Sequence, residues 1–114
     1  MKITKLETIW FAGIPKAEWQ HQMGQSRQAL PNNLWVRIYT DNDLVGLGET
    51  YYIPSATSAI IHDVYAPLLI GRDARDIENH WANLFSLVNF CGFAGAEMRA
   101  LSAIDIALWD LFGQ

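Results

Sequence analysis

The chain has 114 residues, which is enough for one domain with a single hydrophobic core. Apolar residues make up 51% of the chain and charged residues 18%, so we expect it either to pack tightly or to keep apolar surface for a partner. With 12 acidic against 8 basic residues and no cluster of Lys and Arg, we expect no binding to nucleic acid or to a membrane surface.

Cysteine content and the N-terminus bear on the compartment. Cys91 is the only cysteine, which excludes an internal disulfide and a metal site built from several cysteines. The N-terminus has no apolar run of signal-peptide length, and no stretch of the chain is long enough to span a bilayer. We therefore expect a reducing, cytoplasmic location.

Two strands are predicted in the first 40 residues. The first covers residues 1–10, where Leu6 breaks the alternation in the way that a β-bulge would. The second covers residues 34–40, whose side chains alternate regularly between two faces. One of these faces carries Leu34, Val36, Ile38 and Thr40.

A turn and a third strand follow. Residues 41–43, with the sequence DND, are typical of a turn because their side chains bond their own backbone. Residues 44–50 return as a strand with Gly46 and Gly48 on the same face. Two glycines on one face indicate that another element lies close against the backbone there.

Two helices are predicted after the sheet. Ser55 or Thr57 can cap the first, which ends at Gly71, and Asp73 can cap the second. The apolar stripe of the first helix comprises Ile60, Ile61, Val64, Tyr65, Leu68 and Leu69. The apolar stripe of the second comprises Ile77, Trp81, Leu84, Phe85 and Val88.

A third helix is predicted from about Ala96 to Phe112, after a hinge at residues 91–95. At a helical period, one half-circle is apolar without a break and comprises Ala100, Leu101, Ala103, Ile104, Ala107, Leu108, Leu111 and Phe112. The other half mixes polar residues with Ile106 and Trp109. This predicts a second packing surface whose partner is missing from the chain.

The order of these elements predicts an α+β fold in one domain, residues 1–114. Strands first and helices afterwards are typical of a three-stranded antiparallel sheet followed by a helical bundle. The segment 11–33 lacks steady periodicity, but it is rich in apolar and aromatic residues. A loop of that length in a compact domain is usually functional or disordered, and its composition argues against simple disorder.

No catalytic constellation is visible in the sequence. The three histidines lie far apart; we expect His62 and His80 to be solvated, and only His21 is kept open as a ligand contact. Asp105 and Asp110 point about 140° apart on a helix, so they cannot jointly hold a metal ion without another element. We expect both to be polar positions on the outer helix face, and bonding to backbone or Arg groups across a domain boundary is the second interpretation.

The end of the third strand leaves alternatives open. Glu49 could be a buried carboxylate near a site, although a strand-end residue in water is the commoner situation. Tyr51 and Tyr52 could belong to the core, to a sheet edge or to the wall of a pocket.

Several segments resemble one known family. The terminal segment 100–114, ALSAIDIALWDLFGQ, is similar to the signature that ends the N-terminal domain in the mandelate racemase and muconate lactonizing enzyme group of the enolase superfamily. Supporting segments are MKI at residues 1–3, VGLGET at 45–50 and APLLIGRD at 66–73. The segment 95–100, GAEMRA, resembles the acid-sugar dehydratases of that group.

The resemblance implies a capping domain over a C-terminal (β/α)-barrel that is absent from this chain. In the family, the barrel carries the Mg²⁺ ligands and the Lys or His bases that remove a proton α to a carboxylate, so no catalytic or metal-binding residue carries over to this chain. Two capping loops correspond to residues 13–33 and 51–55. The residues that become candidates for contact with a sugar-acid substrate are Trp19, His21, Met23, Arg27, Tyr51 and Tyr52.

Two function hypotheses follow from the sequence. The first is the specificity and capping domain of an Mg²⁺-dependent sugar-acid dehydratase that forms a homo-oligomer, with the cap of a racemase or cycloisomerase as a variant; the chain alone would be inactive. The second is a free-standing binding or assembly module that uses its apolar helix face.

Overall fold

The computed structural model describes residues 1–12, 32–51, 53–91 and 95–114. Strand β1 is Ile3–Ala12, β2 is Asn32–Thr40 and β3 is Val45–Tyr51, in the antiparallel order β1-β2-β3. A register shift between Ile3 and Lys5 confirms an irregularity in β1. Both β1 and β2 extend further than predicted, so the loop between them is shorter at each end.

The inner face of the sheet forms one side of the core. Leu34, Val36 and Ile38 are fully buried, which confirms the alternation predicted for β2. The partners of these residues in β1 are Leu6, Thr8 and Trp10, which therefore share the inner face.

Helix α1 consists of three consecutive segments: Pro54–Ile60, a π-helical turn at Ile61–Tyr65, and Ala66–Leu69. The predicted caps are wrong, because the helix begins at Pro54 without a side-chain cap and Thr57 is buried inside it. Proline is favoured at this position since it has no N–H to satisfy and its φ already suits a helix.

The apolar stripe predicted for α1 is only partly correct. Ile61, Tyr65 and Leu69 are buried, but Val64 and Leu68 are about half exposed. The wider hydrogen-bonded turn at residues 61–65 rotates the last turn of the helix, so a regular helical period assigns these two positions to the wrong face.

Helix α2, Ile77–Cys91, begins later than a cap at Asp73 would allow. The Asp73 carboxylate instead accepts hydrogen bonds from the backbone N–H and the guanidinium of Arg75, at 3.0 and 3.1 Å. Those bonds hold the pKa of Asp73 well below its ordinary range.

The prediction that His80 is solvated is wrong. His80 is only 6% exposed, and its Nε2–H donates to the Asp73 carbonyl at 2.7 Å. The loop before α2 folds back over this ring, which no local pattern indicates.

Helix α3, Ala96–Gly113, packs its apolar half against the sheet. All the residues predicted for that half are buried except Phe112, which is 67% exposed. The prediction for Phe112 is wrong because the last turn of α3 is level with the start of β3. Gln114 Nε2 donates to the carbonyl of Val45, the first residue of β3, so the sheet covers no more of the helix there.

The two glycines of β3 allow a backbone-to-backbone approach of α3. A methyl group at Gly48 would overlap the carbonyl of Ala103, and one at Gly46 would overlap the carbonyl of Ala107. The structure thus confirms that another element lies against this face of β3.

Polar side chains of α3 also bind the free edge of β3. The Leu47 N–H donates to Asp110 Oδ2 at 2.9 Å, and Gln114 Nε2 donates to the Val45 carbonyl at 2.8 Å. Arg99 Nη1 donates to the Tyr51 carbonyl at 3.2 Å near the other end of the strand. These bonds occupy edge groups that would otherwise be available to another strand.

We expect Gly48→Ala to lower the free energy of unfolding by about 3 kcal/mol, because the added methyl group forces α3 away from β3. The matched control is Gly113→Ala, since a methyl group there meets no atom within 4 Å. Urea unfolding followed by circular dichroism measures both. Equal stability of the two variants would contradict the proposed close approach.

Candidate functional site

The three strands end together at one edge of the domain. Phe11 and Tyr51 both pair with Asn33, so the end of β1, the start of β2 and the end of β3 are level. The predicted loop 13–33 leaves from and returns to this edge, because Ala12 pairs with Asn32. We call this edge, with Trp10, Asn33, Tyr51, Ile53 and Arg99, the loop edge.

Most of the predicted substrate contacts lie outside the described residues. This applies to Trp19, His21, Met23 and Arg27 in the long loop and to Tyr52. Their role therefore stays a prediction. The structure shows that the strand ends bordering the long loop and Tyr52 meet at the loop edge.

Tyr51 is a predicted site residue that the structure describes. Its ring is about half exposed, so it belongs to the sheet edge and not to the core. The Arg99 guanidinium lies over the ring, 4.9 Å from the centroid, and also donates to the Tyr51 carbonyl. The two contacts orient the ring and bring a positive charge from α3 to the loop edge.

Ile53 is a residue of this edge that the sequence analysis missed. Its backbone is left-handed, with φ 51° and ψ 57°, and it directly precedes Pro54. A β-branched residue is rarely found there because its side chain crowds the backbone. Such conformations cluster at functional sites, and the Ile-Pro pair alone gives no signal for it.

Trp10 is a second missed residue. It pairs directly with Leu34 on the inner face of the sheet, yet 54% of its surface is exposed. A tryptophan on an inward-facing position would ordinarily be buried. Its exposure at the loop edge places a large aromatic surface beside the predicted loops.

Three polar side chains join β1 to α1 next to Trp10, at Thr8 of the same strand. Thr8 Oγ1 lies 2.9 Å from Ser58 Oγ and 2.8 Å from His62 Nε2. His62 is exposed, as predicted, although it also has this partner. The cluster holds the first half of α1, and with it Ile53, against the sheet.

The two aspartates of α3 have separate roles. The Asp110 carboxylate accepts a hydrogen bond from the Leu47 backbone N–H. This agrees with the second interpretation, in which the aspartates bond to backbone groups, except that the bond lies within this domain and crosses no domain boundary. Asp105 is partly buried; burial raises its pKa, and the nearby Trp109 indole opposes the shift. Glu49 is exposed, which agrees with a strand-end residue in water.

Neither a metal centre nor a membrane span is found in the described ranges. No three His, Cys, Asp or Glu side chains among them lie close enough to share an ion. Among the same residues, no helix combines the length and the apolar character that crossing a bilayer requires.

Comparisons with family profiles and with individual proteins point to the same family. The profile of the family described as "Mandelate racemase / muconate lactonizing enzyme, N-terminal domain" matches residues 8–114. D-galactarolactone cycloisomerase from Agrobacterium fabrum is 40% identical over 79 residues, covering 69% of this chain and 21% of that protein. A D-galactonate dehydratase family member from Paenibacillus sp. is 39% identical over 88 residues, covering 73% of this chain and 21% of that protein.

Solved structures agree. An enolase of the mandelate racemase subgroup from Agrobacterium tumefaciens superimposes with a TM-score of 0.76 at 38% identity, over 99% of this chain and 26% of that one. A racemase from Streptomyces coelicolor with bound magnesium gives 0.78 at 27% identity, over 97% of this chain and 30% of that one. The chain therefore spans about a quarter of the length of these enzymes.

We expect Ile53→Asn to raise the free energy of unfolding by about 1 kcal/mol relative to Ile53→Val, because asparagine tolerates the left-handed region and valine does not. Val and Asn are similar in size, so the two variants leave similar side-chain volumes and differ in how well they tolerate the left-handed backbone and in polarity. Thermal unfolding measures the difference. A less stable Asn variant would show that Ile53 is not strained.

We expect Asp105→Asn to change how stability depends on pH. The folded-state pKa of Asp105 lies above its ordinary value of 3.8. The carboxyl therefore contributes stability below that value, and this stability is lost as the pH rises through the folded-state pKa. Unfolding free energies of the variant and the parent, measured from about pH 3 to about pH 7, should diverge in favour of the variant. Parallel profiles would contradict the burial of Asp105.

Proposed function

This chain belongs to the mandelate racemase / muconate lactonizing enzyme family, of which it is an N-terminal capping domain, and we propose on that premise that it caps the active site of a sugar-acid-converting enzyme. We further propose that the enzyme is an Mg²⁺-dependent dehydratase that abstracts a proton α to a carboxylate. The cytoplasmic location and the homo-oligomer expected from the sequence are part of the same proposal.

The meeting, at the loop edge, of the strand ends that border both predicted capping loops is the observation that carries this proposal. Ala12, Asn32 and Tyr51 bring the ends of the long loop and of the short loop 51–55 to one side of the sheet. A substrate bound beyond this edge would be enclosed by the loops, with water excluded from the reaction. Specificity would then depend on the side chains that the loops present.

The described residues of the loop edge support a pocket wall of a particular chemistry. Tyr51 on the outer face of the sheet end and Trp10 on its inner face offer aromatic surfaces of the kind that pack against sugar rings, and Arg99 brings a cation suited to a carboxylate. Ile53 adds an exposed apolar side chain on a left-handed backbone. In this proposal, Trp19, His21, Met23, Arg27 and Tyr52 complete the wall.

Catalysis itself is assigned to the C-terminal domain that the relatives possess. The described residues of this chain contain no group of metal ligands, so they do not fit the ion. The proposal places Mg²⁺ on carboxylates of the C-terminal domain, in line with the magnesium bound to the racemase from Streptomyces coelicolor. This chain contributes binding, orientation and exclusion of water.

A cycloisomerase is the second candidate. The cycloisomerase from Agrobacterium fabrum and the dehydratase family member from Paenibacillus sp. match this chain equally well, at 40% and 39% identity. Both activities act on sugar acids or their lactones according to those names. The mass of the product distinguishes them, because dehydration of a sugar acid removes one water from the substrate, whereas an isomerisation leaves the mass unchanged.

To test the proposal, the reading frame is followed beyond Gln114 and the protein is produced to its natural stop codon. We expect this extended protein with Mg²⁺ to convert at least one sugar acid from a panel of aldonates and aldarates, with 2-keto acid measured as the semicarbazone. The 114-residue chain should show no turnover. Turnover by the short chain, or none by the extended protein on any sugar acid or lactone, would overturn the proposal.

For the site, we expect Tyr51→Ala to lower kcat/KM of the extended protein about tenfold, because the ring and its Arg99 contact form part of the wall. Tyr39→Ala is the matched control, since Tyr39 lies at the end of the sheet opposite the loop edge, where it pairs with Val45 and its hydroxyl donates to Glu7. An equal effect of both variants would indicate a general loss of stability and remove Tyr51 from the site.

A further inference from the structure

One threonine hydroxyl joins the two elements that support the predicted capping loops. Strand β1 leads into the long loop, and the first residue of α1, Pro54, lies in the short loop. Thr8 Oγ1 of β1 is 2.9 Å from Ser58 Oγ and 2.8 Å from His62 Nε2, both of α1. We call these three residues the Thr8 cluster. It connects the support of one loop to the support of the other.

The start of α1 depends on the Thr8 cluster for its side-chain bond to the sheet. The helix has no side-chain cap, and the N–H of Thr57 donates to the carbonyl of Ile53 at 3.2 Å. Thr57 is fully buried, but its hydroxyl has no hydrogen-bond partner among the described residues. The next residue, Ser58, is only 8% exposed and makes the bond that Thr57 does not make.

The Thr8 hydroxyl can satisfy both of its partners at once. A hydroxyl has one proton to donate and two lone pairs with which to accept. If His62 Nε2 accepts from Thr8, then Ser58 donates to Thr8; if the His62 Nε2–H donates, then Thr8 donates to Ser58. Both hydrogen bonds are made in either case, so a single oxygen atom holds two positions of α1 that lie one turn apart.

The irregular part of α1 coincides with this contact. The π-helical turn Ile61–Tyr65 contains His62, and the N–H of Ile61 is shared between the carbonyls of Ser58 and Thr57. Turns of this kind are rare and frequently lie at functional sites. The departure from a regular helix therefore begins at the residues that the Thr8 cluster binds, which favours a role beyond apolar packing.

The Thr8 cluster lies close to both loops. Thr8 is four residues before Ala12, about 13 Å along a strand, and Ser58 is four residues after Pro54, about 6 Å along a helix. A misplacement of about 1 Å in the groups that position a substrate is enough to lower activity strongly. A small movement between β1 and α1 at the cluster would therefore be felt at the loops.

We propose that Thr8, Ser58 and His62 are positioning residues that fix the spacing between the supports of the two capping loops and thereby set the affinity for the substrate. The inference rests on the proposed function, because it takes from it the role of the loops in binding. On the other side of the short loop, Arg99 donates to the Tyr51 carbonyl. The short loop is thus held from both sides, by α3 before it and by the Thr8 cluster after it.

Thr8→Val in the extended protein tests this proposal, because valine keeps the branched shape of threonine and removes the hydroxyl. We expect KM for the best sugar acid of the panel to rise about tenfold and kcat to stay within about twofold of the parent, since the reacting groups belong to the C-terminal domain. Thr8→Ser restores the hydroxyl and should bring KM back close to the parent value.

Thr57→Val is the matched control. It is the same substitution at a buried residue next to Ser58, but the hydroxyl that it removes has no partner among the described residues. We expect KM to stay unchanged in this variant. An equal rise in KM for Thr57→Val and Thr8→Val would overturn the proposal, and so would a failure of Thr8→Ser to restore KM.

The division of the effect between KM and kcat separates positioning from stability. A variant that only unfolds more easily has a smaller active fraction, which lowers the apparent kcat and leaves KM unchanged. Thr8→Val with a lower kcat and an unchanged KM would therefore reject the positioning role.

A double variant tests whether the hydroxyls act as one unit. We expect Ser58→Ala to raise KM about as much as Thr8→Val, and the two substitutions together to raise it no further, because residues in one hydrogen-bonded network are not additive. Effects of the two substitutions that multiply would show that Thr8 and Ser58 act separately and would contradict the shared contact.

Hydrogen exchange of the extended protein gives a result that needs no substrate. We expect the amides of residues 57–62 to exchange about fivefold faster in Thr8→Val than in Thr57→Val, because the start of α1 opens locally once its bond to β1 is lost. Equal exchange in the two variants would overturn the inference even in an active enzyme. Inactivity on every sugar acid would overturn the proposed function, and the exchange result would then decide whether the Thr8 cluster joins the two supports.

Discussion

The approach of α3 to β3 is the constraint on which the rest of the structure depends. Gly46 and Gly48 leave no side chain between strand and helix, so the carbonyls of Ala103 and Ala107 lie where methyl groups would otherwise be. Burial of the apolar half of α3 then supplies much of the core. At this short separation, polar side chains of the helix also reach the edge of the strand, where Asp110 binds Leu47.

This approach also relates two exposed regions at opposite ends of α3. Arg99, near the start of α3, holds Tyr51 at the loop edge. Trp109 and Phe112, near the end of the same helix, form the second region. Thirteen residues separate Arg99 from Phe112, which corresponds to about 20 Å along a helix. A single helix therefore links the edge that borders the predicted substrate loops to the exposed aromatic side chains at its other end.

Local patterns fail where the surroundings of a residue depend on how the chain folds back on itself. The neighbours of His80 in the sequence predict a solvated ring, but the loop before α2 folds over the ring and buries it. In α1, the π-helical turn moves Val64 and Leu68 out of the apolar stripe. A regular period cannot anticipate such a turn, because it depends on how the helix fits against the rest of the domain. The left-handed backbone of Ile53 and the exposure of Trp10 also depend on how these residues fit against the rest of the domain, so no local pattern indicates them.

The sequence by itself determined the sheet, the order of the helices, the glycine face of β3 and the family. Alternation in β2 and the apolar half-circle of α3 are local, periodic properties, and burial of one face is enough to enforce them. Only the tertiary structure decided that the strand ends meet at one edge, that Asp110 binds a strand and that Thr8 joins β1 to α1. Each of these depends on distances between residues far apart in the chain, which are set by packing and leave no trace in local sequence.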